Sequence, residues 1–347
     1  MNMDRFLTGG AAAVLALMLS VAARAQDDAA TFYKGAQITI AVASTAGGGY
    51  DSYARLVARH LGKHIPGAPS IVVTNMTGAG GNLVARYLSN VAPRDGTYIA
   101  LVLPGTITGG LYVDKAKLQY DPSRLSHLGS ANSEIDMCFV RADAGVKTLA
   151  EARQKEVIVG GSAEGGATRE QPAALNSILG TKFKIVSGYP GTREIVLAVE
   201  QKEVHGVCGM SYSAMRLQRP QWFETGFILP LSQNHVHGDP ALTAKGVMRA
   251  IDLAKSDADR QVLELIYGQQ TFGRPFVMAE RVPPARLAVM RKAFLATLAD
   301  KDFLADAAKL RLDINPVAGE ELQTLVQKLY ASPPHIIKRA GDALKGL

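Results

Sequence analysis

A unit of buried strand, glycine-rich loop and helix occurs twice in this chain, and it constrains the fold more than any other feature. In the first copy, the apolar residues 38–42 lead into a loop at 44–51 and a helical pattern. In the second copy, residues 157–159 lead into a loop at 160–168 and another helix. The identical positions are Ser44, Gly47, Gly48, Leu61 and Gly62 in the first copy and Ser162, Gly165, Gly166, Leu179 and Gly180 in the second. This order predicts two similar α/β lobes.

Each lobe has a second glycine loop after its next strand, at residues 77–82 and 188–192. Glycine lets the backbone approach a ligand closely, and the first N–H groups of a helix carry the positive end of its dipole. Four such loops are four candidate anion sites, so we predict that a carboxylate binds between the lobes. The candidate residues are Gly47, Gly48, Gly49, Asp51, Gly78, Ala79, Gly80, Thr106, Ser162, Gly165, Gly166, Thr168, Tyr189, Gly191 and Thr192.

Asp51 has two alternative roles in this prediction. It can cap and brace the first helix, or it can face the ligand. The brace is favoured because a carboxylate beside an anion site would repel the ligand. Thr168 and Thr192 can cap their helices and also offer hydroxyl groups. The sequence does not identify the acid, whose selection would depend on loop side chains such as Tyr50, Met76, Thr106, Asn132, Tyr189, Met210 and Tyr212.

The first 25 residues have the pattern of a secretory signal. Arg5 precedes an almost wholly apolar run over residues 7–23, and Ala23-Arg24-Ala25 is a small-x-small cleavage pattern. The run is short for a membrane span, so cleavage after Ala25 is preferred to an uncleaved anchor. No Cys follows the cleavage position, which argues against a lipid anchor. We therefore predict an exported protein.

The chain is basic, with 38 Lys and Arg against 31 Asp and Glu and a formal net charge of +7. The basic residues are scattered, and a basic balance without a patch is weak support for a polyanion partner. Export also separates the chain from cytosolic NAD and ATP. We expect no nucleic-acid partner and no cofactor, and we interpret the charge mainly as favouring solubility.

Two cysteines, Cys138 and Cys208, lie in strand-like runs. In an oxidising compartment they can form a disulfide, but two buried free thiols are an equal alternative because the sequence does not supply the Cα separation.

Motifs for catalysis and metal binding are incomplete. Ser211 lies in a run that lacks the closing glycine of a nucleophile elbow. His60 with His64, and His235 with His237, are two-residue pairs without a third ligand at suitable spacing. His205 is interpreted as a structural histidine, although its role stays open. We expect no metal site and no enzyme activity. An exported hydrolase is the alternative class.

Several segments resemble the Bug-type receptors, the periplasmic substrate-binding proteins of tripartite tricarboxylate transporters. They include Ala-Gly-Gly-Gly-Tyr-Asp at 46–51, Asn-Met-Thr-Gly-Ala-Gly-Gly-Asn at 75–82 and Ala-Pro-Arg-Asp-Gly at 92–96. Further segments are 32–35, 188–191 and Gly-Arg-Pro at 273–275. One departure is Lys-Glu-Val-His at 202–205, where the family usually has Gly-x-Val-Asp. That carboxylate could anchor the amine of a ligand, so its absence makes an amino-acid ligand less expected.

This resemblance implies a two-lobe, hinged periplasmic-binding-protein fold of type II-like architecture, with a helical C-terminal segment. The predicted boundaries are a signal peptide at 1–25, lobe 1 at 26–106 plus 232–347, and lobe 2 at 107–231. The implied function is a monomeric periplasmic receptor that delivers a di- or tricarboxylate or an aromatic acid to transmembrane permease subunits. In the family the first-lobe loops hold the carboxylate and the second-lobe loops hold the other end of the ligand. Signalling to a membrane sensor is a further alternative.

Overall fold

A computed structural model describes residues 30–44, 46–47, 49–162 and 166–346. The predicted signal peptide lies outside these residues, as do Gly48 and Gly165. The strands are β1 (Gln37–Val42), β2 (Ser70–Asn75), β3 (Tyr98–Leu101), β4 (Ser126–Ser130), β5 (Asp136–Arg141), β6 (Val157–Gly161), β7 (Phe183–Ser187), β8 (Gly206–Ser211), β9 (Ile228–Asn234), β10 (Pro275–Met278) and β11 (Val317–Ala318).

The α-helices are α1 (Gly49–Leu61), α2 (Asn82–Asn90), α3 (Pro104–Thr108), α4 (Lys115–Leu118), α5 (Ala167–Leu179), α6 (Thr192–Glu200), α7 (Tyr212–Gln218), α8 (Gln221–Glu224), α9 (Pro240–Ala244), α10 (Asp257–Tyr267), α11 (Pro284–Leu298), α12 (Lys301–Lys309), α13 (Gly319–Tyr330) and α14 (Pro334–Lys345). Among the described residues, no helix is both long and apolar enough to cross a membrane.

The chain forms two compact units. Unit 1 contains the described residues up to Thr106 together with Lys115–Ala131 and Arg274–Gln323. Unit 2 contains Ile107–Asp114, Asn132–Gly273 and the described residues from Thr324 onward. The chain therefore passes from one unit to the other several times, and each unit is completed by segments that are distant in sequence.

Unit 1 is built on a sheet with the strand order β11-β4-β10-β3-β1-β2. Strands β1, β2 and β3 are parallel neighbours, whereas β10 is antiparallel to both β3 and β4. The strands are apolar and α1 has apolar residues at helical spacing, so a continuous core forms between the sheet and its helices. Its fully buried members include Ile40, Ile99, Leu56, Leu61, Phe294 and Phe303.

Unit 2 is built on a sheet with the strand order β7-β6-β8-β5-β9. Strands β7, β6 and β8 are parallel, and β5 is antiparallel to β8 and β9. Cys138 on β5 faces Cys208 on β8, and the two are joined by a disulfide bond. Both cysteines are fully buried, so the disulfide crosses the middle of this sheet.

The observed units differ from the predicted lobes in their boundaries. Residues 232–273 belong to the predicted lobe 1 but lie in unit 2, because β9 pairs with β5 in the second sheet. Residues 115–131 belong to the predicted lobe 2 but lie in unit 1, where β4 pairs with β10. The final residues from Thr324 onward also lie in unit 2. These pairings join segments that are far apart in sequence, and local patterns do not reveal them.

Candidate functional site

Three connections of unit 1 lie at one edge of its sheet. Residues 43–48 connect β1 to α1, residues 76–81 connect β2 to α2, and the end of β3 leads into α3. Val42 is in register with Asn75 on β2 and with Leu101 on β3, so the three parallel strands end together. The carboxyl edge of a parallel sheet is where such folds bind ligands.

Asp51 braces the first of these loops. Its Oδ2 accepts a hydrogen bond from the N–H of Gly47 and one from Nε of Arg55, each at 2.8 Å. Its Oδ1 accepts from Nδ2 of Asn75 at 2.9 Å, and the same nitrogen donates to the carbonyl of Ser44. These bonds support the brace interpretation over the ligand-facing one. They also mean that the Gly47 N–H is directed at Asp51.

The same contacts set the charge of Asp51. The hydrogen bond from Arg55 is the largest of the effects that lower the pKa of this buried carboxyl group to about 2. Asp51 is therefore ionised at neutral pH, and its negative charge lies against the Arg55 guanidinium at 2.8 Å. This pairing reduces the repulsion that an anionic ligand would meet at the loop.

The second loop of unit 1 requires glycine at two positions. Gly78 has φ 140° and Gly81 has φ 88°, values that residues with a side chain rarely adopt. Ala79 also has a positive φ of 49°. The Gly81 N–H donates to the carbonyl of Gly78 at 2.9 Å, so this donor closes the turn. The predicted residues Gly78, Ala79 and Gly80 therefore lie together in a tight turn at the start of α2.

Thr106 lies in α3 beside the second loop. The Tyr120 hydroxyl lies 2.8 Å from the Thr106 carbonyl oxygen and 2.6 Å from Oδ1 of Asn82, which links α3 to the first residue of α2. The Thr106 side chain is fully buried, and its Oγ1 has no hydrogen-bond partner among the described residues. This hydroxyl lies 3.2 Å from the point that a Cβ would occupy on Gly81.

Arg274 also lies at this edge, and the glycine-loop pattern of the sequence does not predict it. Its guanidinium carbon lies 4.4 Å from the ring centroid of Tyr50 and 5.2 Å from that of Tyr53. Its Nη2 lies 4.0 Å from the point that a Cβ would occupy on Gly49. The signal for Arg274 in the sequence is the Gly-Arg-Pro segment of the family resemblance, but no spacing connects Arg274 to the loop at 46–51.

In unit 2, the loop after β6 leads to the start of α5. The Ser162 N–H donates to Oγ1 of Thr168 at 3.0 Å, and the Thr168 hydroxyl donates to Oγ of Ser162 at 2.9 Å. Gly166 is the N-cap residue of α5 and has an extended backbone. The structure thus brings the predicted residues Ser162, Gly166 and Thr168 together. Thr168 is buried, so its hydroxyl is committed to bracing this loop.

The loop after β7 lies at the same edge as the loop after β6, because β6 and β7 are parallel neighbours. Gly188 has φ 108°, and Gly191 is the extended N-cap residue of α6, which begins at Thr192. The Tyr189 N–H donates to the Gly161 carbonyl at 3.3 Å, and the Tyr189 hydroxyl donates to Oε2 of Glu203 at 3.4 Å. The predicted Tyr189, Gly191 and Thr192 are therefore neighbours in one loop.

The side chains considered for catalysis or metal binding make structural contacts. Nδ1 of His205 accepts the Ile158 N–H at 3.0 Å, and Oγ of Ser211 accepts the Ala214 N–H in the cap of α7. Nε2 of His60 lies 3.1 Å from a carboxylate oxygen of Asp306. In the part of the chain that the structure describes, no group of three or more His, Cys, Asp or Glu side chains is arranged to hold a metal ion.

His235 is also placed by its backbone neighbours. Its Nδ1 accepts hydrogen bonds from the N–H groups of His237 and Gly238, and its Nε2 lies 3.1 Å from Oγ of Ser133. Burial lowers the pKa of His235 to about 4, so it is neutral at physiological pH. The His235 ring therefore stabilises the turn at His237 and Gly238 by accepting their N–H groups.

Comparison with solved structures shows which known fold this chain has. The chain superposes on a TctC solute binding protein from Polaromonas with a TM-score of 0.69 at 19% sequence identity, covering 88% of this chain and 99% of that one. It superposes on the periplasmic binding protein BugD with a TM-score of 0.57 at 20% identity, covering 89% and 99%. The predicted fold class, that of the periplasmic binding proteins, is confirmed.

A third structure with this fold is MatC from Rhodopseudomonas palustris with bound malate, with a TM-score of 0.56, 19% identity and coverage of 89% and 98%. In sequence, the chain is 32% identical over 179 residues to the UPF0065 protein in the TAR-I ttuE-ttuC' intergenic region of Agrobacterium vitis. That match spans 49% of each protein, about half the length of the curated relative. No family model matches the chain. These matches support the predicted Bug-type relationship, through sequence over half of the chain and through the fold over most of it.

Proposed function

We propose that this protein is an extracytoplasmic receptor for a small organic carboxylate, which it delivers to a membrane permease of the tripartite tricarboxylate type. The observation that carries the proposal is the carboxyl edge of unit 1. There a loop braced by Asp51 and a glycine turn stand at the starts of α1 and α2. The binding of malate by MatC, which has the same fold, supports a carboxylate as the ligand class.

The physical basis is the concentration of positive potential at this edge. Two helix N-termini present backbone N–H groups there, and a carboxylate accepts such charge-assisted hydrogen bonds strongly. Asp51 does not oppose this, because its oxygens accept from Gly47, Arg55 and Asn75. The predicted role of Ser162, Gly166, Thr168, Tyr189, Gly191 and Thr192 in holding the other end of the ligand stays a prediction.

The compartment and the partners belong to the same proposal. The signal pattern at residues 1–25 supports export and cleavage after Ala25, and the periplasm is the compartment of BugD. Transmembrane permease subunits are the proposed receivers of the ligand, and a monomer is the proposed state. We further propose that the protein is not an enzyme, which is supported by the structural contacts of Ser211, His205 and His60.

A thermal-shift experiment on the purified mature protein tests this function. The panel contains malate, succinate, adipate, citrate and benzoate, each paired with its neutral amide. An acid present at 100 times its Kd should add about 2.7 kcal/mol to the free energy of unfolding, whereas its amide should add little. If none of the acids stabilises the protein, the receptor function is contradicted. Turnover of a bound acid, followed by mass spectrometry, would instead support an exported enzyme.

A further inference from the structure

We propose that Arg94, Arg124 and Arg281 form a binding site for a phosphate dianion on unit 1. The ligand is either inorganic phosphate or the phosphate monoester of an organic molecule or a lipid, since both present the same group. The three side chains, which form the arginine cluster, lie at the edge of the sheet opposite the glycine loops. The site is therefore distinct from the proposed carboxylate site and does not depend on the proposed function.

The fold brings the arginine cluster together from three segments that are far apart in sequence. Arg94 precedes β3, Arg124 precedes β4, and Arg281 follows β10. Because β10 is antiparallel to both β3 and β4, its end lies beside the starts of these two strands. Basic residues that are scattered along the sequence thus become neighbours in unit 1.

Glu280 is the carboxylate around which the arginine cluster is arranged. Its Oε2 lies 2.6 Å from Nε of Arg124, and its Oε1 lies 3.5 Å from Nη1 of Arg94 and 3.8 Å from Nε of Arg281. Three guanidinium groups thus share one carboxylate, and two positive charges are left in excess. A phosphate monoester carries about 1.5 to 2 negative charges at neutral pH, so it matches this excess more closely than a single carboxylate does.

Two other acidic residues in the neighbouring loops, Asp95 and Asp121, do not remove this excess. Oδ1 of Asp95 accepts hydrogen bonds from the N–H and the hydroxyl of Thr97 within its own turn, and Nη1 of Arg286 donates to the Asp95 carbonyl at 2.9 Å. Oδ2 of Asp121 lies 2.9 Å from Nζ of Lys115. Each of these acids therefore has a further cation beside it, and the balance of the arginine cluster stays positive.

The donors of the arginine cluster differ in how they are held. Nη2 of Arg94 donates to the carbonyl of Ser89 at 2.7 Å, which fixes this guanidinium group. The side chains of Arg124 and Arg281 are 53% and 68% exposed, and within the described part of the chain neither donates an aligned hydrogen bond to Glu280. A guanidinium group presents its N–H donors as a planar fork that matches two oxygens of a phosphate group. Arg124 and Arg281 can therefore turn their donors toward an anion.

A cavity of about 140 Å³ lies at the arginine cluster. Arg94, Arg124 and Glu280 line it, together with the polar side chains of Asn90 and Asp121. Arg281 contacts the same oxygen of Glu280 as Arg94 does, so it adds positive charge behind this wall. Pockets for drug-sized organic ligands measure about 300 to 1,000 Å³. The smaller size of this cavity favours a single phosphate group over a larger organic acid.

The test compares four variants of the site with a matched control. Arg124→Gln removes a guanidinium group that lines the cavity, and Arg124→Lys keeps the charge but loses the planar fork. Arg281→Gln removes charge behind the cavity wall, and Glu280→Gln removes the competing carboxylate. The control is Arg260→Gln in unit 2. Arg260 is 52% exposed, close to the 53% of Arg124, and it also contacts acidic side chains of its own helix.

The measurement is the Kd for inorganic phosphate and for glycerol phosphate by titration calorimetry at fixed ionic strength, which keeps charge screening constant. Cosedimentation with phosphatidylcholine vesicles, with and without phosphatidic acid, tests a lipid source. We expect Arg124→Gln to weaken phosphate binding about 10-fold or more, and Arg124→Lys and Arg281→Gln to weaken it less. Arg260→Gln should stay within about twofold of wild type, because its charge is distant and screened. Glu280→Gln should bind phosphate more tightly, because a negative charge that repels the ligand is removed.

The probes also distinguish the sources of the phosphate group. Saturable binding of inorganic phosphate identifies the free anion as the ligand, whereas binding only of glycerol phosphate or of the phosphatidic acid vesicles identifies a monoester. The site is wrong if wild type binds none of these probes, or if Arg124→Gln and Arg260→Gln bind them equally well. An unchanged or weaker affinity in folded Glu280→Gln would also contradict it. Thermal midpoints in chloride buffer show whether each variant is folded. The affinity for malate should be the same in wild type and Arg124→Gln, so a failure of the phosphate site leaves the receptor function standing.

Discussion

In unit 1 the loop after β1 is closed by the carboxylate of Asp51, whereas in unit 2 the loop after β6 is closed by the hydroxyl of Thr168. Both side chains accept an N–H group from the start of their own loop, Gly47 in one case and Ser162 in the other. The same supersecondary unit is therefore stabilised by an ionised group in one place and by a neutral group in the other. The loop of unit 1 thus carries the paired charges of Asp51 and Arg55, whereas the brace of the unit 2 loop carries no charge.

The interiors of the two units differ in a related way. In unit 2 a buried chain of hydrogen bonds runs from Ser232 to Asn234, then from Asn234 to Gln171, and from Gln171 to Asp136. The disulfide between Cys138 and Cys208 lies beside it, with Sγ of Cys138 3.8 Å from Nδ2 of Asn234. Unit 2 thus combines a covalent link with a buried polar network, and both cysteines of the chain belong to this unit.

The largest expected effect comes from removing the disulfide. The double variant Cys138→Ser, Cys208→Ser frees a chain segment with a sequence separation of 70 residues. The chain-entropy model gives a loss of about 4 kcal/mol in the free energy of unfolding of unit 2. Urea unfolding of the variant and of reduced wild-type protein measures the loss. Mass spectrometry with and without reductant checks the bond, and a loss below about 1 kcal/mol would show that the link contributes little.

The next largest effect is the loss of stability when either loop brace, Asp51 or Thr168, is removed. Asp51→Ala removes charge-assisted bonds and leaves the Gly47 N–H and the Asn75 amide without their acceptor. We expect a loss of about 2 to 3 kcal/mol in the free energy of unfolding. Thr168→Val keeps the shape of a neutral brace but removes the hydroxyl, and about 1 kcal/mol is expected. Urea unfolding at neutral pH measures both losses.

Asp51→Asn is the matched control for charge, because the amide retains one oxygen acceptor. Its loss should fall between those of Asp51→Ala and wild type. Equal losses for Asp51→Ala and Thr168→Val would mean that the charge of Asp51 adds nothing to the brace. The pKa of Asp51 is held at about 2, so the Asp51 contribution should be present above about pH 4 and should decrease as the pH falls toward 2.

The local part of this comparison could be predicted from the sequence, and the long-range part could not. The alternation of apolar strands with glycine loops is a local pattern, and the structure places each predicted loop after its strand. Arg274 and the boundary of residues 232–273 depend on the antiparallel pairings of β10 and β9, which join distant segments.

The third prediction concerns the opposite pH response of the two units. Asp136 is fully buried, and burial raises its pKa to about 7, an effect that the Gln171 hydrogen bond opposes and the charge of Glu134 increases. The folded-state pKa is thus higher than that of the unfolded chain, so Asp136 binds a proton more tightly in the folded state. Its contribution is most favourable below about pH 4 and is lost progressively between about pH 4 and 7.

Asp136→Asn should remove this dependence, because an amide oxygen can still accept from Nε2 of Gln171 while no charge forms. At pH 8 the variant should be more stable than wild type by about 1 to 2 kcal/mol, since a buried ionised carboxylate is costly even when it is hydrogen-bonded. At pH 4 the two proteins should be similar. Urea unfolding followed by the fluorescence of Trp222, a buried residue of unit 2, measures the difference at each pH. A wild-type stability of unit 2 that does not decrease from pH 4 to 7 would contradict the raised pKa. If this decrease is observed while Asp51→Ala alters stability mainly above about pH 4, then unit 1 depends on an ionised carboxylate and unit 2 on a protonated one.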